Sequence, residues 1–317
     1  MSDVDKIKDL VQKHQALKKE IAKVIVGQEL VVDQILTSIF AGGHALLIGV
    51  PGLAKTLMVN TISKALGLDF KRIQFTPDLM PSDIIGSEIL DDAKRFQFLK
   101  GPVFSNIVLA DEINRTPPKT QAALLEAMQE KSVTIGGKTY QLDQPYFVLA
   151  TQNPIEQEGT YPLPEAQLDR FMFAIELTYP SFKEEVEVVK STTQNSKHEI
   201  NALFNANEII DFQQLIRRIP VTDNVIEYAV KVVGKTRPNE PTASSMVKEY
   251  VGWGAGPRAS QNLILAAKTN AALKAKYAPD IEDVKAVAQG ILKHRVIKNY
   301  KAEAEGLTTN EIINSLL

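Results

Sequence analysis

A loop over residues 49–57 combines glycines, a lysine and a threonine in a pattern that binds phosphate. It lies between an apolar stretch and a helical one, so its backbone N–H groups would surround phosphate oxygens at a helix N-terminus. Lys55 would neutralise the terminal phosphates and Thr56 would bind Mg²⁺. The alternative is a plain strand-to-helix turn. The residues expected to contact a nucleotide here are Gly49, Val50, Pro51, Gly52, Leu53, Ala54, Lys55, Thr56 and Leu57.

Ala54 stands where the usual phosphate-loop pattern has a glycine before the lysine. Alanine is small enough to let a phosphate approach the backbone, but its Cβ restricts φ. The loop therefore departs from the usual pattern at one position while keeping the lysine and the hydroxyl.

Two adjacent carboxylates, Asp111 and Glu112, follow an apolar run over residues 107–110. Ligands of α/β proteins bind at the carboxyl edge of the sheet, where such a strand ends. Asp111 would hold Mg²⁺ directly or through water, and Glu112 would orient and deprotonate the attacking water. Taken alone, an Asp-Glu pair after a strand is more often a helix cap or the start of a loop.

An amide side chain, Asn153, follows a further apolar run over residues 146–150. At the same sheet edge it would position a water beside the γ-phosphate. The alternative is that the Asn153-Pro154 pair only makes a turn.

The elements that position these residues alternate between strand and helix patterns. Short apolar runs cover residues 44–48, 70–75, 107–110, 146–150 and 171–177, with helical patterns over 55–65 and 119–129 between them. Such alternation predicts βαβ units around a mostly parallel sheet. An amphipathic helix is expected at the N-terminus.

Beyond residue 180 the strand patterns stop. Helical patterns follow over residues 184–190, 207–218, 223–235, 258–275 and 281–294. Asp223 and Asp280 stand where helix N-caps are expected. We therefore predict two domains, an α/β nucleotide-binding domain over residues 1–180 and a small all-helical domain over 181–317.

The overall composition excludes several classes of protein. The net charge of −2 provides no global basic field for nucleic acid or an anionic membrane, so nucleic acid is an unlikely partner. With no cysteine, disulfides, thiolate metal sites and cysteine nucleophiles are excluded, and a cytoplasmic location is expected. No apolar run is long enough to span a bilayer.

Together these motifs resemble the AAA+ superfamily and, within it, the MoxR family of ATPases. The resemblance extends over residues 26–294 and is carried by GVPGLAKT at Gly49, LADEINR at Leu109, ATQNP at Ala150, LPEAQLDRF at Leu163 and GPRA at Gly256. It implies a three-layer αβα core of strand order 5-1-4-3-2 followed by a helical lid. It also implies that ATP and Mg²⁺ bind between neighbouring subunits of a hexameric ring.

The resemblance assigns roles to individual residues. Val26, Gly27 and Gln28 match the segment near the adenine, Lys55 and Thr56 match Walker A, Asp111 and Glu112 match Walker B, Asn153 matches sensor 1, Arg170 matches the arginine finger and Arg258 matches sensor 2. Without the resemblance, Arg170 would be read as an ion-pair partner of Asp169 or Glu165, and Arg258 as an exposed first-turn residue. Arg115 stays unassigned, either a second interface arginine or a salt-bridge partner.

Two hairpins are expected within the core. Residues 87–99 would turn near Asp91 and Asp92, and residues 133–140 carry Gly136-Gly137 between alternating residues. The resemblance implies that such hairpins contact a client protein, whereas the alternative is a pair of solvated loops.

The leading functional hypothesis is an ATPase that remodels or matures partner proteins, with metal-cofactor insertion as one form. A DNA-translocating motor is the second, and stimulation of hydrolysis by single-stranded DNA would favour it. The third is a nucleotide-dependent binding scaffold with little turnover.

Overall fold

The computed structural model describes residues 2–90, 94–155, 159–194 and 199–317. The first part contains helices α1 (Asp3–Ile21), α2 (Glu29–Ala41), α3 (Lys55–Ala65), α4 (Pro81–Ile85), α5 (Pro118–Glu130) and α6 (Glu165–Leu168), and strands β1 (Ala45–Ile48), β2 (Phe70–Gln74), β3 (Gly86–Leu90), β4 (Phe96–Lys100), β5 (Ile107–Asp111), β6 (Ser132–Ile135), β7 (Lys138–Gln141), β8 (Phe147–Gln152) and β9 (Phe173–Glu176). The second part contains helices α7 (Phe182–Thr193), α8 (Ala206–Arg218), α9 (Asp223–Lys235), α10 (Ser245–Tyr250), α11 (Pro257–Leu273), α12 (Ile281–Leu292), α13 (Tyr300–Ala304) and α14 (Thr309–Asn314), and strands β10 (Val251–Trp253) and β11 (Ile297–Lys298).

Five parallel strands form the central sheet in the order β2-β5-β8-β1-β9. With the five core strands numbered along the chain, this order is 2-3-4-1-5, which confirms the order that the resemblance implies. Ile48, at the end of β1, is in register with Gln152 on one side and Glu176 on the other. The register therefore brings the carboxyl ends of the central strands to one edge.

The sheet separates two hydrophobic clusters. One lies on the face that carries Leu47 and Leu109 and continues into the helices after residue 200, while the other lies on the face that carries Leu46 and Val108. Successive residues of a strand point to opposite faces, so each of these strands supplies both clusters. The central strands β5, β8 and β1 are buried on both faces, as their continuous apolar runs predicted, whereas the edge strand β2 has exposed residues.

The helix predictions are confirmed with small changes at the ends. α3 covers residues 55–65 as expected, and α9 covers 223–235. Asp280 caps α12, its Oδ1 accepting from the Asp283 N–H at 3.0 Å. The cap predicted at Asp223 is wrong: Thr222 is the N-cap of α9, and Asp223 is the first helical residue. An acidic side chain is favourable at either position, which is why sequence alone does not separate them.

The helical lid is confirmed, with one addition. β10 and β11 pair antiparallel within it, Val251 opposite Lys298 and Trp253 opposite Ile297. These strands have three and two residues, too few to show the alternation by which a strand is recognised in sequence.

Both predicted hairpins form, and they contact each other. β3 pairs with β4 and β6 pairs with β7, each antiparallel. The turn expected near Asp91 and Asp92 lies outside the described residues. The ring centroids of Phe98 and Tyr140 lie 4.3 Å apart, so an aromatic contact joins the two hairpins. Phe96 nearby is exposed.

Helix α1 is amphipathic, as predicted, and it packs against both parts of the chain. Its neighbours are α3 of the core and α8 and α11 of the lid. Lys13 forms an ion pair with Glu208, and the Glu20 carboxylate accepts from the Asn201 N–H at 2.9 Å. Across the described ranges, no helix is both long and apolar enough to cross a bilayer.

Candidate active site

The phosphate-binding candidate is the loop between β1 and α3. Gly52 has φ +87° and Ala54 φ +53°, so both adopt the left-handed region. Glycine takes this conformation freely, whereas an alanine there costs about 1 kcal/mol. Ala54 nevertheless holds it as the N-cap of α3. The alanine therefore keeps the backbone path that a glycine would favour.

This loop presents unpaired donors. The backbone N–H groups of residues 52–57 donate to no acceptor in the described part of the chain. A Cβ added at Gly52 would meet nothing within 4 Å, so the space in front of it is open. A row of N–H groups at a helix N-terminus carries positive potential and fits phosphate oxygens.

Lys55 lies across this loop. Its Nζ donates to the Gly49 carbonyl at 2.6 Å, which uses one of the three donors of an ammonium group. Burial lowers the pKa of Lys55, and the charges of Asp111 and Glu112 oppose that shift. The two carboxylates therefore favour the ammonium form of Lys55, the form that can neutralise a terminal phosphate.

One side-chain hydroxyl, that of Thr151, forms hydrogen bonds with both residues of the acidic pair, Asp111 and Glu112. Thr151, in β8, donates from Oγ1 to Asp111 Oδ1 at 2.7 Å, and its Oγ1 accepts from the Glu112 N–H at 2.8 Å. Asp111 ends β5 and is buried, while Glu112 has φ +58° and turns the chain away from the sheet. The two carboxylates consequently leave the strand in different directions, as two separate roles require.

Three further side chains contact the acidic pair, and sequence reasoning missed two of them. Arg72, in β2, donates to Asp111 Oδ2 from Nε at 3.0 Å and from Nη2 at 2.7 Å. Gln74 Nε2 and Arg115 Nη1 each donate to Glu112 Oε2 at 3.0 Å. The Arg115 contact is the salt bridge that the sequence left as one of two alternatives. Arg72 and Gln74 are two apart on one strand, and this spacing is the signal that would have indicated them.

The donor set fits Mg²⁺ with a nucleotide better than a metal held by protein alone. Among the described residues, no group of three or more His, Cys, Asp or Glu side chains could hold a metal ion. Mg²⁺ is usually bound by one or two protein oxygens together with phosphate oxygens and water. The Asp111 carboxylate and the Thr56 hydroxyl would provide those protein oxygens.

Asn153 follows β8 at the same edge and is buried. Its Oδ1 accepts from the Ile155 N–H at 3.2 Å, so the side chain also makes the turn that the Asn-Pro pair indicated. Its Nδ2 group donates to no acceptor among the described residues and could donate to a water or a phosphate oxygen, and its role as a sensor stays a prediction.

The segment matched to the adenine site borders a cavity of about 690 Å³ between the core and the lid. Gln28 Nε2 donates to the Thr178 carbonyl at 3.1 Å, just beyond the end of β9. Gly27 has φ +72°, and a Cβ there would lie 2.6 Å from the Glu184 carboxyl carbon. Val26 precedes them in the connection to α2. Because β9 lies beside β1, this cavity is next to the phosphate loop.

Arg170 and Arg258 lie at the opposite edge of the sheet. Arg170 precedes β9, and its Nη1 donates to the Leu125 carbonyl at 2.7 Å. Arg258, in the first turn of α11, donates from Nη1 to Asp169 at 3.0 Å. Both arginines line a cavity of about 260 Å³ with His44, which precedes β1. A four-residue strand is about 13 Å long, so this cavity lies well away from the phosphate loop that follows β1.

The ion pairs at this edge differ from the alternative raised for Arg170, whereas Arg258 is an exposed first-turn residue, as its alternative stated. Asp169 pairs with Arg258 and with the buried Arg295, at 3.0 and 2.6 Å. Within the described residues, Arg170 forms no ion pair with Asp169 or Glu165. A third arginine, Arg217 at the end of α8, lines the same cavity. In the sequence, Arg217 is only a basic residue in the last turn of a predicted helix, so nothing there indicated that it lines this cavity.

Comparisons with known proteins agree with this architecture. Residues 44–173 match the family model described as the ATPase family associated with various cellular activities (AAA), and residues 243–316 match the AAA lid domain. The chain is 43% identical over 302 residues to the chaperone MoxR1 of Mycobacterium tuberculosis, a match covering 94% of this chain and 79% of that protein.

Two further relatives cover nearly the whole chain. The protein MoxR of Methylorubrum extorquens is 30% identical over 303 residues, covering 88% of this chain and 86% of that protein. A crystal structure of a candidate ATPase from Cytophaga hutchinsonii superposes with a TM-score of 0.92 at 46% identity, covering 98% of this chain and 95% of that one.

Proposed function

Because this chain belongs to the MoxR family of AAA+ ATPases, we propose that it hydrolyses ATP between neighbouring subunits of a homo-oligomeric ring. The work of the ring is chaperone-like remodelling or maturation of partner proteins, metal-cofactor insertion among them. The ring is a hexamer and acts in the cytoplasm, where a chain without cysteine needs no disulfide.

The observation that carries this proposal is the division of the site between two edges of the sheet. Lys55, Thr56 and Asp111 lie at the carboxyl edge, whereas Arg170 and Arg258 line a cavity at the amino edge. One chain cannot close both halves on a single triphosphate. A neighbouring copy that presents its amino edge completes the site.

Each residue has a distinct task at such an interface. The N–H groups of residues 52–57 and Lys55 bind and orient the phosphates, and Asn153 fixes a water beside them. Glu112 accepts a proton from that water once its carboxylate is free of Gln74 and Arg115. Mg²⁺ supplies charge neutralisation at the phosphate oxygens.

The arginine of a neighbouring copy supplies the remaining charge. Arg170 donates to a carbonyl and forms no ion pair with Asp169 or Glu165, so its guanidinium keeps donors for a phosphate oxygen. An arginine placed in this way stabilises the charge that develops on the transferred phosphoryl group, by about 10³-fold or more in related reactions. Hydrolysis therefore depends on assembly.

The first test replaces Glu112 by Gln. We expect Mg²⁺-dependent hydrolysis to fall by about 10²-fold or more, while ATP binding survives because Lys55 and the loop are unchanged. Glu130→Gln, a change at an exposed glutamate at the end of α5, is the matched control. Equal loss of binding and hydrolysis would contradict the role of Glu112 as the base.

The second test mixes chains. Arg170→Ala chains are titrated into Lys55→Ala chains, which retain Arg170 but lack the phosphate lysine. Where the loop of an Arg170→Ala chain meets the arginine of a Lys55→Ala chain, the shared site has both Lys55 and Arg170. The site formed the other way round has neither. Activity should therefore reappear in the mixture. A mixture as inactive as its parents would refute the arrangement in which the arginine acts on a neighbour.

The client is sought with the Glu112→Gln form. A chain that binds ATP without hydrolysing it should remain in the client-bound state, so a pull-down in the presence of ATP should retain partners that the ADP form releases. The exposed hairpin residue Phe96 is the first candidate for contact. Phe96→Ser, at a position 75% exposed, should lower client retention without lowering ATP binding.

A further inference from the structure

Helix α7 carries an apolar stripe that the described residues of the chain leave exposed. Phe182, Val186 and Val189 follow one another at helical spacing and are 81%, 37% and 54% exposed. No residue of this helix is buried. The opposite face of α7 is turned to the body of the protein, because Glu184 lies against Gly27. The stripe therefore faces outward.

A groove on the lid has matching chemistry. It lies between α9 and α11 and has a volume of about 630 Å³. Ile226 and Val230 of α9 border it and are 40% and 53% exposed, and Ile264 and Leu265 of α11 form its other wall. The stripe from Phe182 to Val189 would be about 10 Å long, which is about two helical turns. Helices α9 and α11, which form the groove walls, are long enough for the stripe to lie along them.

Two cations, Arg217 and Lys268, line this groove. Lys268 Nζ donates to the Arg217 carbonyl at 2.9 Å, and the charge of Arg217 lowers the pKa of Lys268 in addition to the larger effect of burial. Outside the lining of the groove, burial and then the charge of Arg217 lower the pKa of Lys131. In the part of the chain that the structure describes, none of these three forms an ion pair. A carboxylate from outside would relieve the repulsion.

The positions of the two surfaces indicate which partner fits. α7 lies beside the cavity at Gly27, next to the chain's own phosphate loop. The groove shares Arg217 and Leu265 with the cavity that holds Arg170 and Arg258. Joining the α7 of one copy to the groove of another would therefore bring the arginines of the second toward the nucleotide of the first.

We propose that α7 of one copy of this chain docks its Phe182–Val186–Val189 stripe into the α9–α11 groove of the next copy, with Glu185 facing Arg217 and Lys268. Such a contact uses different surfaces on the two copies, so its repetition closes into a ring or continues as a filament. The inference rests on the proposed function, in that it specifies the contact that completes the shared site.

The absence of cysteine makes this contact directly measurable. Val186→Cys is combined in one chain with Val230→Cys or with Ile226→Cys, and the nucleotide-loaded protein is oxidised. A disulfide needs Cβ atoms about 4 Å apart, so only docked surfaces will link. We expect a ladder of covalent species larger than a dimer. Val186→Cys with Tyr300→Cys, an exposed position outside the groove, is the control and should give no ladder.

Charge exchange tests the polar part of the contact. Glu185→Lys should weaken assembly about tenfold or more in sedimentation experiments with ATP and Mg²⁺, and Lys268→Glu in the same chain should restore it. Glu185 is exposed and Lys268 is half-buried, and unchanged circular dichroism will show that the variants fold. An assembling protein that gives no ladder, or a double variant that stays as weak as Glu185→Lys, overturns the proposal.

This outcome is separable from that of the proposed function. If the cysteine variants cross-link through α7 but Arg170→Ala chains still hydrolyse ATP, the shared active site is refuted and the proposed contact is retained. If activity is restored in mixed Arg170→Ala and Lys55→Ala chains but the cysteine variants do not cross-link, the shared active site is supported and the proposed contact is refuted.

Discussion

Acid should destabilise this protein through a histidine that must stay neutral. His44 is buried at the start of β1, where its Nδ1 accepts from the Val148 N–H at 3.0 Å and its Nε2 lies 3.2 Å from the Met128 carbonyl. A ring that accepts at Nδ1 and donates at Nε2 carries no net charge. Burial lowers the pKa of His44 from 6.5 to about 4, so the unfolded chain takes up this proton more readily than the folded one.

The sign and size of the effect follow from linkage. Because the folded pKa is depressed, the contribution of His44 is intact above pH 6.5 and is lost as pH falls toward 4. With each pKa unit worth about 1.4 kcal/mol, the complete loss is about 3.4 kcal/mol, of which about 2 kcal/mol has occurred at pH 5. Such a loss is a large part of the stability of an ordinary domain.

The assay is urea unfolding at pH 7.5 and pH 5.0, for the natural chain and for His44→Asn. An asparagine Oδ1 can accept from Val148 but does not titrate, so the variant should be less stable at pH 7.5 by about 1 kcal/mol for the lost contact to Met128. Between the two pH values it should lose about 2 kcal/mol less than the natural chain. The other buried histidines are present in both proteins, so their contributions to the pH dependence cancel in the comparison. If the natural chain and His44→Asn lose the same free energy of unfolding between the two pH values, the assignment of the acid effect to His44 is refuted.

Three further predictions concern packing and the buried hydroxyls. Gly290→Ala places a Cβ 2.6 Å from the Phe173 ring and should lower the thermal midpoint, at a cost of about 1–3 kcal/mol, whereas Gly234→Ala, with nothing within 4 Å, should raise it. Thr151→Val removes the hydroxyl that links the two carboxylate residues and should reduce both stability and ATP hydrolysis; Thr151→Ser should retain them. Tyr146→Phe removes a buried hydroxyl without a partner in the described residues, so unfolding in urea should be unchanged or shifted to higher concentration.

Local sequence predicted the part of the site that is built from consecutive residues. The loop before Lys55 and the carboxylates after β5 each follow a buried strand, and parallel strands bring such ends together whatever the rest of the chain does. The helix after the loop needed no tertiary information either, because Lys55 to Ala65 is a continuous helical pattern.

The contacts made across the fold were not predictable in this way. Arg72 and Gln74 reach the acidic pair only because β2 is the edge neighbour of β5, and a sequence pattern does not state which strands are neighbours. Arg217 reaches the arginine cavity because α8 packs beside α11. The strand β10 was missed since three residues, one of them Gly252, carry too little pattern.

The attachment of the lid through α1 restricts how the lid can move. A body joined by one connection can turn about many axes, and each further separated contact removes some of that freedom. Here one connection is the chain after β9. Further contacts are the packing of α1 on α8 and α11, with its Lys13–Glu208 and Glu20–Asn201 contacts, and the packing of α2 on the same two helices. Separating the lid from the core would therefore break several contacts at once, and residues 181–317 expressed alone would lack the helix that covers part of their hydrophobic core.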